Sequence, residues 1–186
     1  MTIKNFAIVS AVLTLSACGG GGSGGANNFQ SLGDQGIALI NKYQTANVTP
    51  VQNMPAGSFS YNGVAGYSAI SSTNPNTILN NAIALSSINL SADFENNNIT
   101  GSLSNFVDNE NFTGSGTVPL NGAISGNGFS AAGSGVIVSS FDNSNNFTSA
   151  NITQGVFIGP EAQAAEGIMD VTYGNISGSG YFLAER

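Results

Sequence analysis

Two carboxylates have the spacing in this sequence that best suits acid–base chemistry. Asp93 and Glu95 are two residues apart in an alternating segment, so a β-strand would project both to the same side. Paired carboxylates serve as acid and base in glycoside hydrolysis. The pair lies on the polar face at a predicted strand end, beside the turn "ENNN", where charged groups are simply solvated. We therefore predict no catalytic residue at this position.

Other reaction chemistries lack the side chains they need. No histidine occurs in the 186 residues, which excludes Ser-His-Asp and Cys-His catalytic arrangements and metal sites built from histidine. A haem carrier is disfavoured for the same reason, unless a tyrosine is the haem ligand. After Lys4 the only cations are Lys42 and Arg186, against ten carboxylates. Phosphates cannot be neutralised by so few cations, so nucleic acid is not an expected partner. The sequence predicts a non-enzyme without a cofactor.

A calcium site was weighed at the segment "DNSNNF". Asp142, Ser144 and Asn146 present oxygens at the spacing that begins an EF-hand loop. The sixth residue is Phe147 where that loop needs glycine, and the twelfth is Thr153 where it needs a bidentate glutamate. We interpret this segment as a hairpin turn, and likewise "DNENF" at 108–112, and we predict no metal site.

The lone cysteine lies in the most specific motif of the chain. An apolar run of about ten residues, which suits a secretory signal and is too short to span a bilayer, leads to Leu15-Ser16-Ala17-Cys18. Small residues before a cysteine are typical of a bacterial lipobox, so we predict cleavage before Cys18 and lipid attachment at Cys18. The alternative is an ordinary signal peptide with an incidental cysteine. Gly19 stands where aspartate would indicate inner-membrane retention, which favours the outer membrane.

The composition of the chain predicts its domain organisation. The glycines and serine that follow Cys18 predict a flexible tether with coil statistics. We expect a lipoprotein signal peptide at residues 1–17 and a lipidated cysteine with a Gly/Ser-rich tether at 18–28. A short helix with its connector is expected at 29–56, and a β-barrel domain at 57–186.

The hydrophobic spacing changes from a helical to a strand period near residue 57. Apolar residues at intervals of three and four predict one short helix over about 35–45. Alternation of the kind seen in "IALSSINLSADFE" predicts about eight strands, with turn-sized gaps and no second helix between them. Short gaps favour antiparallel neighbours, because parallel strands need long crossovers. We therefore predict a mainly all-β fold, an eight-stranded antiparallel up-and-down β-barrel preceded by a short N-terminal helix, with a two-sheet sandwich as the alternative.

One segment departs from the strand pattern. In "GVFIGPEAQAAEG", residues 155–167, Gly159-Pro160 ends a strand and is followed by helix-forming residues too few for an independent helix. The sequence predicts one helical turn between two strands, with the next strand at 168–173. We expect an architectural role for this turn, as a plug or corner of the barrel, and no functional role for Glu161 or Glu166.

The C-terminal third resembles a known family of surface lipoproteins. Gly-x-Phe-x-Gly-Pro-x-Ala at 155–162, the ending Gly-x-Gly-Tyr-Phe-x-Ala-x-Arg and the segment "SADFENNNITGSLSNF" are similar to the barrel strands of the transferrin-binding protein B family, which includes factor H binding protein. The resemblance spans roughly residues 57–186. It implies a single barrel, anchored in the outer membrane of a Gram-negative bacterium, that binds and does not catalyse. No ligand-contacting loop can be carried over from that family.

The function expected from the residues and from the resemblance stays open between three hypotheses. The first is an outer-membrane lipoprotein that binds an unknown protein or solute, with nutrient capture as the expected role. The second is a lipocalin-like periplasmic carrier of a small apolar ligand, since eight strands can enclose one small molecule. The third is a structural envelope lipoprotein. Bulky residues filling the barrel, as Phe59, Phe94, Leu103 and Phe157 would if they point inward, favour the first over the second.

Overall fold

Most of the chain forms one closed antiparallel barrel. The structure, a computed structural model, describes residues 28–186. Its strands are β1 Ser58–Ser68, β2 Ala84–Asp93, β3 Asn98–Asp108, β4 Thr113–Ser115, β5 Val118–Ser125, β6 Gly128–Ser139, β7 Asn145–Ile158, β8 Ala164–Tyr173 and β9 Ile176–Glu185. Two α-helices accompany them, α1 Phe29–Tyr43 and α2 Pro75–Asn80.

The strands are connected in an up-and-down order. Neighbours along the chain pair antiparallel, and β9 pairs with β1, so the sheet closes on itself. Strands β4 and β5 both lie between β3 and β6, and they form one barrel position interrupted at Gly116, whose φ is 133°. The barrel therefore has eight positions, as predicted, and the two-sheet sandwich is excluded.

The alternating sequence places one face of each strand in the barrel interior. In β2 the side chains of Ile88, Leu90 and Ala92 are buried in the central cluster, whereas Asn89 and Ser91 are exposed. Burial of each large aliphatic side chain stabilises a fold by about 1.5–3 kcal/mol. The interior is thus the hydrophobic core that the two-residue period predicted.

Helix α1 begins earlier than the predicted 35–45. The side chain of Asn28 accepts a hydrogen bond from the Ser31 backbone N–H at 2.7 Å, which caps the helix at its start. Gly33 and Gly36, which obscured that start in the sequence, face the barrel. A Cβ at either glycine would stand 3.7–3.8 Å from Leu85 or Val64, so the helix lies close against β1 and β2.

Two details of the strand prediction were wrong. Helix α2 lies between β1 and β2, where no second helix was predicted. The Asn74 side chain caps this helix by accepting hydrogen bonds from the Asn76 and Thr77 backbone N–H groups, and Pro75 occupies its first turn. Strand β8 begins at Ala164 and not at 168. The helix-forming residues after Pro160 give a single 3₁₀ turn, Pro160–Ala162, because pairing of the following residues with β7 and β9 overrides their helical preference.

The two ends of the barrel differ. The end that carries the Pro160–Ala162 turn is called the plugged end, and the opposite end, where Ser68, Asp108, Ser139 and Tyr173 lie, is called the mouth. Within residues 28–186 no helix has the length and apolar character that crossing a bilayer requires. Cys18 and the predicted signal peptide lie outside the described residues.

Candidate functional site

Aromatic side chains fill the barrel near the plugged end. The ring centroid of Phe157 is 4.9 Å from those of Phe94 and Phe129 and 5.7 Å from that of Tyr61. Phe157 and Tyr61 are fully buried. Close tilted and edge-on ring pairs add to the stabilisation that burial gives. This half of the barrel has no room for a ligand.

Four residues were named as possible fillers of the barrel, and their positions differ. Leu103 and Phe157 point inward and are buried, as expected. Phe59 and Phe94 are partly buried and pack against the core from the plugged end. Filling of the lumen is therefore confirmed for one half of the barrel only.

The turn after Gly159 closes the plugged end. Gly159, Glu161 and Ala162 have φ values of 79°, 51° and 57°, a left-handed path that folds the chain inward. Ala162 is fully buried in the core, and its carbonyl accepts a hydrogen bond of 2.8 Å from the Tyr61 hydroxyl. Burial raises the pKa of Tyr61 to about 12. The turn is the plug that the sequence predicted.

The two glutamates near the plug have structural partners. Glu161 is exposed and lies 3.8 Å from the Arg186 guanidinium, a distance that gives little stabilisation at a surface. Glu166 accepts a hydrogen bond of 2.7 Å from the Tyr181 hydroxyl on the outer face of the barrel. Neither carboxylate faces a cavity in the barrel interior.

At the mouth, the barrel interior opens into an apolar cavity of about 250 Å³. Tyr67 and Phe106 form one wall, with ring centroids 6.2 Å apart and an angle of 29° between the ring planes. Leu103, Ile137 and Ala150 also line it, and all three are almost fully buried. These residues come from β1, β3, β6 and β7, so closure of the sheet is what creates the cavity.

The polar groups around the cavity are already hydrogen-bonded within the protein. The Tyr67 hydroxyl pairs with that of Ser86, and burial raises the pKa of Tyr67 far above its ordinary value. Asp108 accepts from the backbone N–H groups of Glu110 and Phe112, each at 2.9 Å. In residues 28–186 every buried side-chain N or O atom has a partner. The cavity therefore offers a mainly apolar surface, and none of its fully buried side-chain polar atoms lacks a partner.

Exposed apolar side chains surround the mouth. Phe141 is 70% exposed, and its ring lies 4.7 Å from that of Phe112, centroid to centroid. Other large exposed apolar residues at this end are Ile70, Ile83, Tyr173 and Ile176. We call these five exposed residues, Ile70, Ile83, Phe141, Tyr173 and Ile176, the rim. Several exposed apolar side chains at one end of a barrel are typical of an interaction site.

Carboxylates lie at both ends of the barrel, including Asp93, Glu161 and Glu185 at the plugged end, but among residues 28–186 the mouth has no cation beside them. Asp108 lines the cavity, and Asp142 lies in the adjacent turn between β6 and β7. Burial raises the pKa of Tyr173, and the negative fields of Asp142 and Asp108 add to that shift, which places both carboxylates near this hydroxyl. Among the described residues the cations are Lys42 and Arg186, both at the plugged end. The mouth is therefore apolar and negative.

Helix α1 starts beside the mouth. The Phe29 backbone N–H donates to the side-chain oxygen of Asn111 at 3.1 Å, in the turn that also carries Phe112. The helix then runs along the barrel to Lys42, whose ammonium lies 2.5 Å from the Glu185 carboxylate at the far end of β9. The chain thus enters the described fold at the mouth.

The carboxylates considered for chemistry serve as turn caps. Asp93 accepts from the backbone of Glu95 and Asn96 and from the Asn96 side-chain amide, hydrogen bonds that lower its pKa. Glu95 lies in the turn after β2 and not on the strand. Asp142 accepts from the Ser144 backbone N–H at 3.0 Å, and hydrogen bonds to Ser144 lower its pKa.

The sequence analysis missed the cavity residues. Tyr67 and Phe106 each stand close to the mouth end of a strand, and neither was singled out. The sequence signal for these residues is weak. It consists of a large aromatic residue among the inward-facing positions of a strand, one or two residues before a predicted turn. It becomes visible only after strand direction is assigned, because alternate strands then place such residues at one end of the barrel.

Comparison with known proteins places the fold in a family. Two solved structures are similar: a mutant of the vaccine antigen Transferrin Binding Protein B from Haemophilus parasuis Hp5 (TM-score 0.48, 22% identity) and intact Ap-TbpB with its N and C lobes (TM-score 0.46, 21% identity). Each match covers 75% of this chain and 28% of the other, so the chain spans less than a third of those proteins. No curated protein matches the chain. The model of the C-lobe and N-lobe beta barrels of Tf-binding protein B matches residues 54–186, and the chain therefore belongs to that family.

Proposed function

We propose that the chain is a non-catalytic binding lipoprotein of the outer membrane, anchored through a lipid on Cys18, that captures a nutrient-related protein or solute at the barrel mouth. One observation supports this proposal above the others. The apolar cavity, the rim and the negative charge all coincide at the mouth, whereas the plugged end is closed by aromatic packing. A purely structural envelope protein has no need of an apolar opening of this kind.

A binding role is also consistent with the family. The similar solved proteins are named for binding transferrin, and transferrin is accordingly the first protein ligand to test. Of the two carboxylates considered for acid–base chemistry, Asp93 caps a turn and Glu95 lies in that turn and not on the strand, which supports a role without catalysis. The negative mouth favours a ligand surface that is apolar and positively charged.

A second candidate, the lipocalin-like carrier of a small apolar ligand, is favoured by the cavity itself. Its volume of about 250 Å³ lies just below the usual range for pockets that hold drug-sized ligands, about 300–1,000 Å³, so the ligand would be small. In this case the rim would guide a small molecule into the barrel and would not hold a protein.

Rim variants of the full chain test the capture of a protein. Transferrin and whole serum are passed over immobilised wild type, over a rim variant carrying Ile70→Ser and Phe141→Ser, and over a control carrying Ile37→Ser and Val51→Ser. The control residues are comparably exposed, at 51% and 58%, but lie away from the mouth. We expect wild type and control to retain the same protein and the rim variant to lose it at least about tenfold. Equal retention by all three would exclude the mouth as the site.

Anchoring is tested separately. Labelled palmitate is expected to enter the wild-type chain and not the Cys18→Ser variant. Protease added to intact cells then determines the membrane face. Digestion supports capture of an extracellular protein, and protection until the outer membrane is opened supports the small-ligand carrier. A wild-type chain that takes up no label contradicts the proposed anchor.

A further inference from the structure

The volume of the mouth cavity limits the size of a ligand inside it. An engineered protein cavity of 150 Å³ lined by aliphatic and aromatic residues binds benzene. In proportion, the 250 Å³ at this mouth accommodates roughly ten heavy atoms, the size of two fused rings. A long acyl chain exceeds that volume, so a fatty acid or phospholipid tail does not fit.

The walls of the cavity select an apolar, flat molecule. The aromatic rings of Tyr67 and Phe106 both line the cavity and are inclined to each other by only 29°, so a planar ring can pack beside them. The hydroxyls of Tyr67 and Ser139 are occupied by partners within the protein, Ser86 and the Phe141 backbone N–H. A polar ligand would lose its hydration inside this mainly apolar cavity and gain few hydrogen bonds in return.

Charge at the mouth selects against anions. A substituent on a bound ring would point to the open end, near Asp108 and Asp142. In residues 28–186 the compensating cations, Lys42 and Arg186, lie at the other end of β9, a strand of ten residues that spans roughly 30 Å. At that distance salt screens them almost completely.

We propose that the mouth cavity is a binding site for a compact ring compound of about ten heavy atoms, neutral or cationic, and that it discriminates against carboxylates of the same size. This inference rests on the proposed binding function and names the class of solute that the same site takes. The ring lies against Tyr67 and Phe106, and any charged substituent lies towards Asp108.

Three naphthalene derivatives of matched size test the charge preference. 1-Naphthalenemethanol is neutral, 1-naphthylmethylammonium is cationic and 1-naphthoate is anionic. Each is titrated by calorimetry and by naphthalene fluorescence into the full chain carrying Cys18→Ser, which keeps acyl chains and detergent out of the measurement. We expect the alcohol and the ammonium compound to bind, and the carboxylate to bind at least about tenfold more weakly. Equal or tighter binding of naphthoate overturns the proposed selectivity.

Cavity variants test the location of binding. Ala150→Leu adds bulk at a fully buried lining position and is expected to weaken the binding of both preferred probes at least about tenfold, since it removes the space they occupy. The matched control, Ala38→Leu, makes the same change at an exposed position of α1 and should leave affinity unchanged. If Ala150→Leu does not fold, Val171→Phe fills the cavity from β8. Undiminished binding by a folded filled variant overturns the assignment.

Asp108→Asn tests the charge argument alone. The asparagine oxygen can still accept the two backbone hydrogen bonds that shape the turn, so the fold is preserved while the charge is removed. We expect the ratio of ammonium to naphthoate affinity to fall about three- to tenfold. An unchanged ratio contradicts a role for Asp108 in selection.

The two proposals fail in different ways. If no naphthalene probe binds but the rim still captures a protein, the solute class is wrong and the proposed function stands. If the probes bind and the rim captures nothing, the small-ligand carrier remains and protein capture is excluded. If neither occurs, both proposals are overturned.

Discussion

Removing a single hydroxyl from the barrel interior should measurably destabilise the plug. In Tyr61→Phe the ring that packs on Phe157 is retained, and only the hydrogen bond to the Ala162 carbonyl is lost. Both residues are fully buried, so water cannot replace the lost donor. An acceptor left unpaired in a protein interior destabilises by about 1–3 kcal/mol. For a chain of this size, a loss of 2 kcal/mol lowers the Tm by about 4–8 °C.

Urea denaturation followed by circular dichroism measures the change in the free energy of unfolding. The control is Tyr173→Phe, which removes a hydroxyl that accepts a hydrogen bond from the Asn146 amide. Tyr173 lies at the mouth and is 37% exposed. Its expected effect is below about 0.5 kcal/mol, because water replaces the lost partner. For ligand binding the expectations are reversed. Tyr173→Phe should change the affinity, because Tyr173 lines the cavity, whereas Tyr61→Phe should leave it unchanged.

The dependence of folding stability on alkaline pH tests the buried Tyr61 hydroxyl in a second, independent way. Because the folded-state pKa of Tyr61 is raised from 10 to about 12, its neutral form is favoured in the folded protein. This contribution is present below pH 10 and is lost as the pH rises towards 12. Wild type should therefore lose more stability than Tyr61→Phe over that range. Equal stability of the two proteins at pH 7, together with parallel alkaline profiles, would refute the structural role of this hydrogen bond.

Three further changes test other parts of the fold. Glu161→Gly should be neutral or stabilise by up to about 1 kcal/mol in urea denaturation, since a left-handed φ of 51° strains any residue with a Cβ; clear destabilisation would show that the exposed side chain matters. Glu185→Gln should reduce the loss of folding stability at acid pH, because the hydrogen bond from Lys42 holds the Glu185 pKa below 4.5. The stabilisation from Glu185 is present above pH 4.5 and is lost as the pH falls through the depressed pKa. The same acid dependence of stability in the variant and the wild type contradicts this. Gly63→Ala should lower stability by about 1–3 kcal/mol, because a Cβ there would stand 2.0 Å from the Leu183 backbone oxygen, and a wild-type Tm would refute this close strand approach.

The barrel could be predicted from the sequence because strand alternation is a local property. Residues 88–93 alternate strictly between apolar and polar side chains, and hairpin-sized gaps then leave antiparallel pairing as the simplest connection. Local chemistry was also sufficient for α2, in which Asn74 and Pro75 are a cap and a first-turn proline, although that signal was overlooked. Ala164 and Ala165 show the opposite case, since their helical preference yields to strand pairing with neighbours on both sides.

The cavity could not be predicted because it depends on how the strands are placed relative to one another. Phe129 and Phe157 come from different strands and meet near the plugged end, while the small Ala150 lies nearer the mouth, and their relative heights follow from register shifts in β6 and β7. Those shifts occur beside Phe129 and Ile152 and have no marker in the sequence. The sequence therefore left open whether the interior is filled, and the structure shows filling at one end only.

The start of α1 beside the mouth would set the orientation of the domain if the chain is anchored to a membrane at Cys18. If Cys18 carries the lipid, the Gly/Ser-rich composition of the nine residues between it and Asn28 predicts an average span of about 15–18 Å. That is shorter than the barrel itself, whose strands of 10–14 residues rise by roughly 3.3 Å per residue. The mouth is then the part of the domain nearest the lipid surface, and the plug is the part farthest away. A molecule dissolved in or released from the membrane would have a shorter path to Tyr67 and Phe106 than one arriving from bulk solvent, and a bulky protein could reach the rim only when the domain tilts outward.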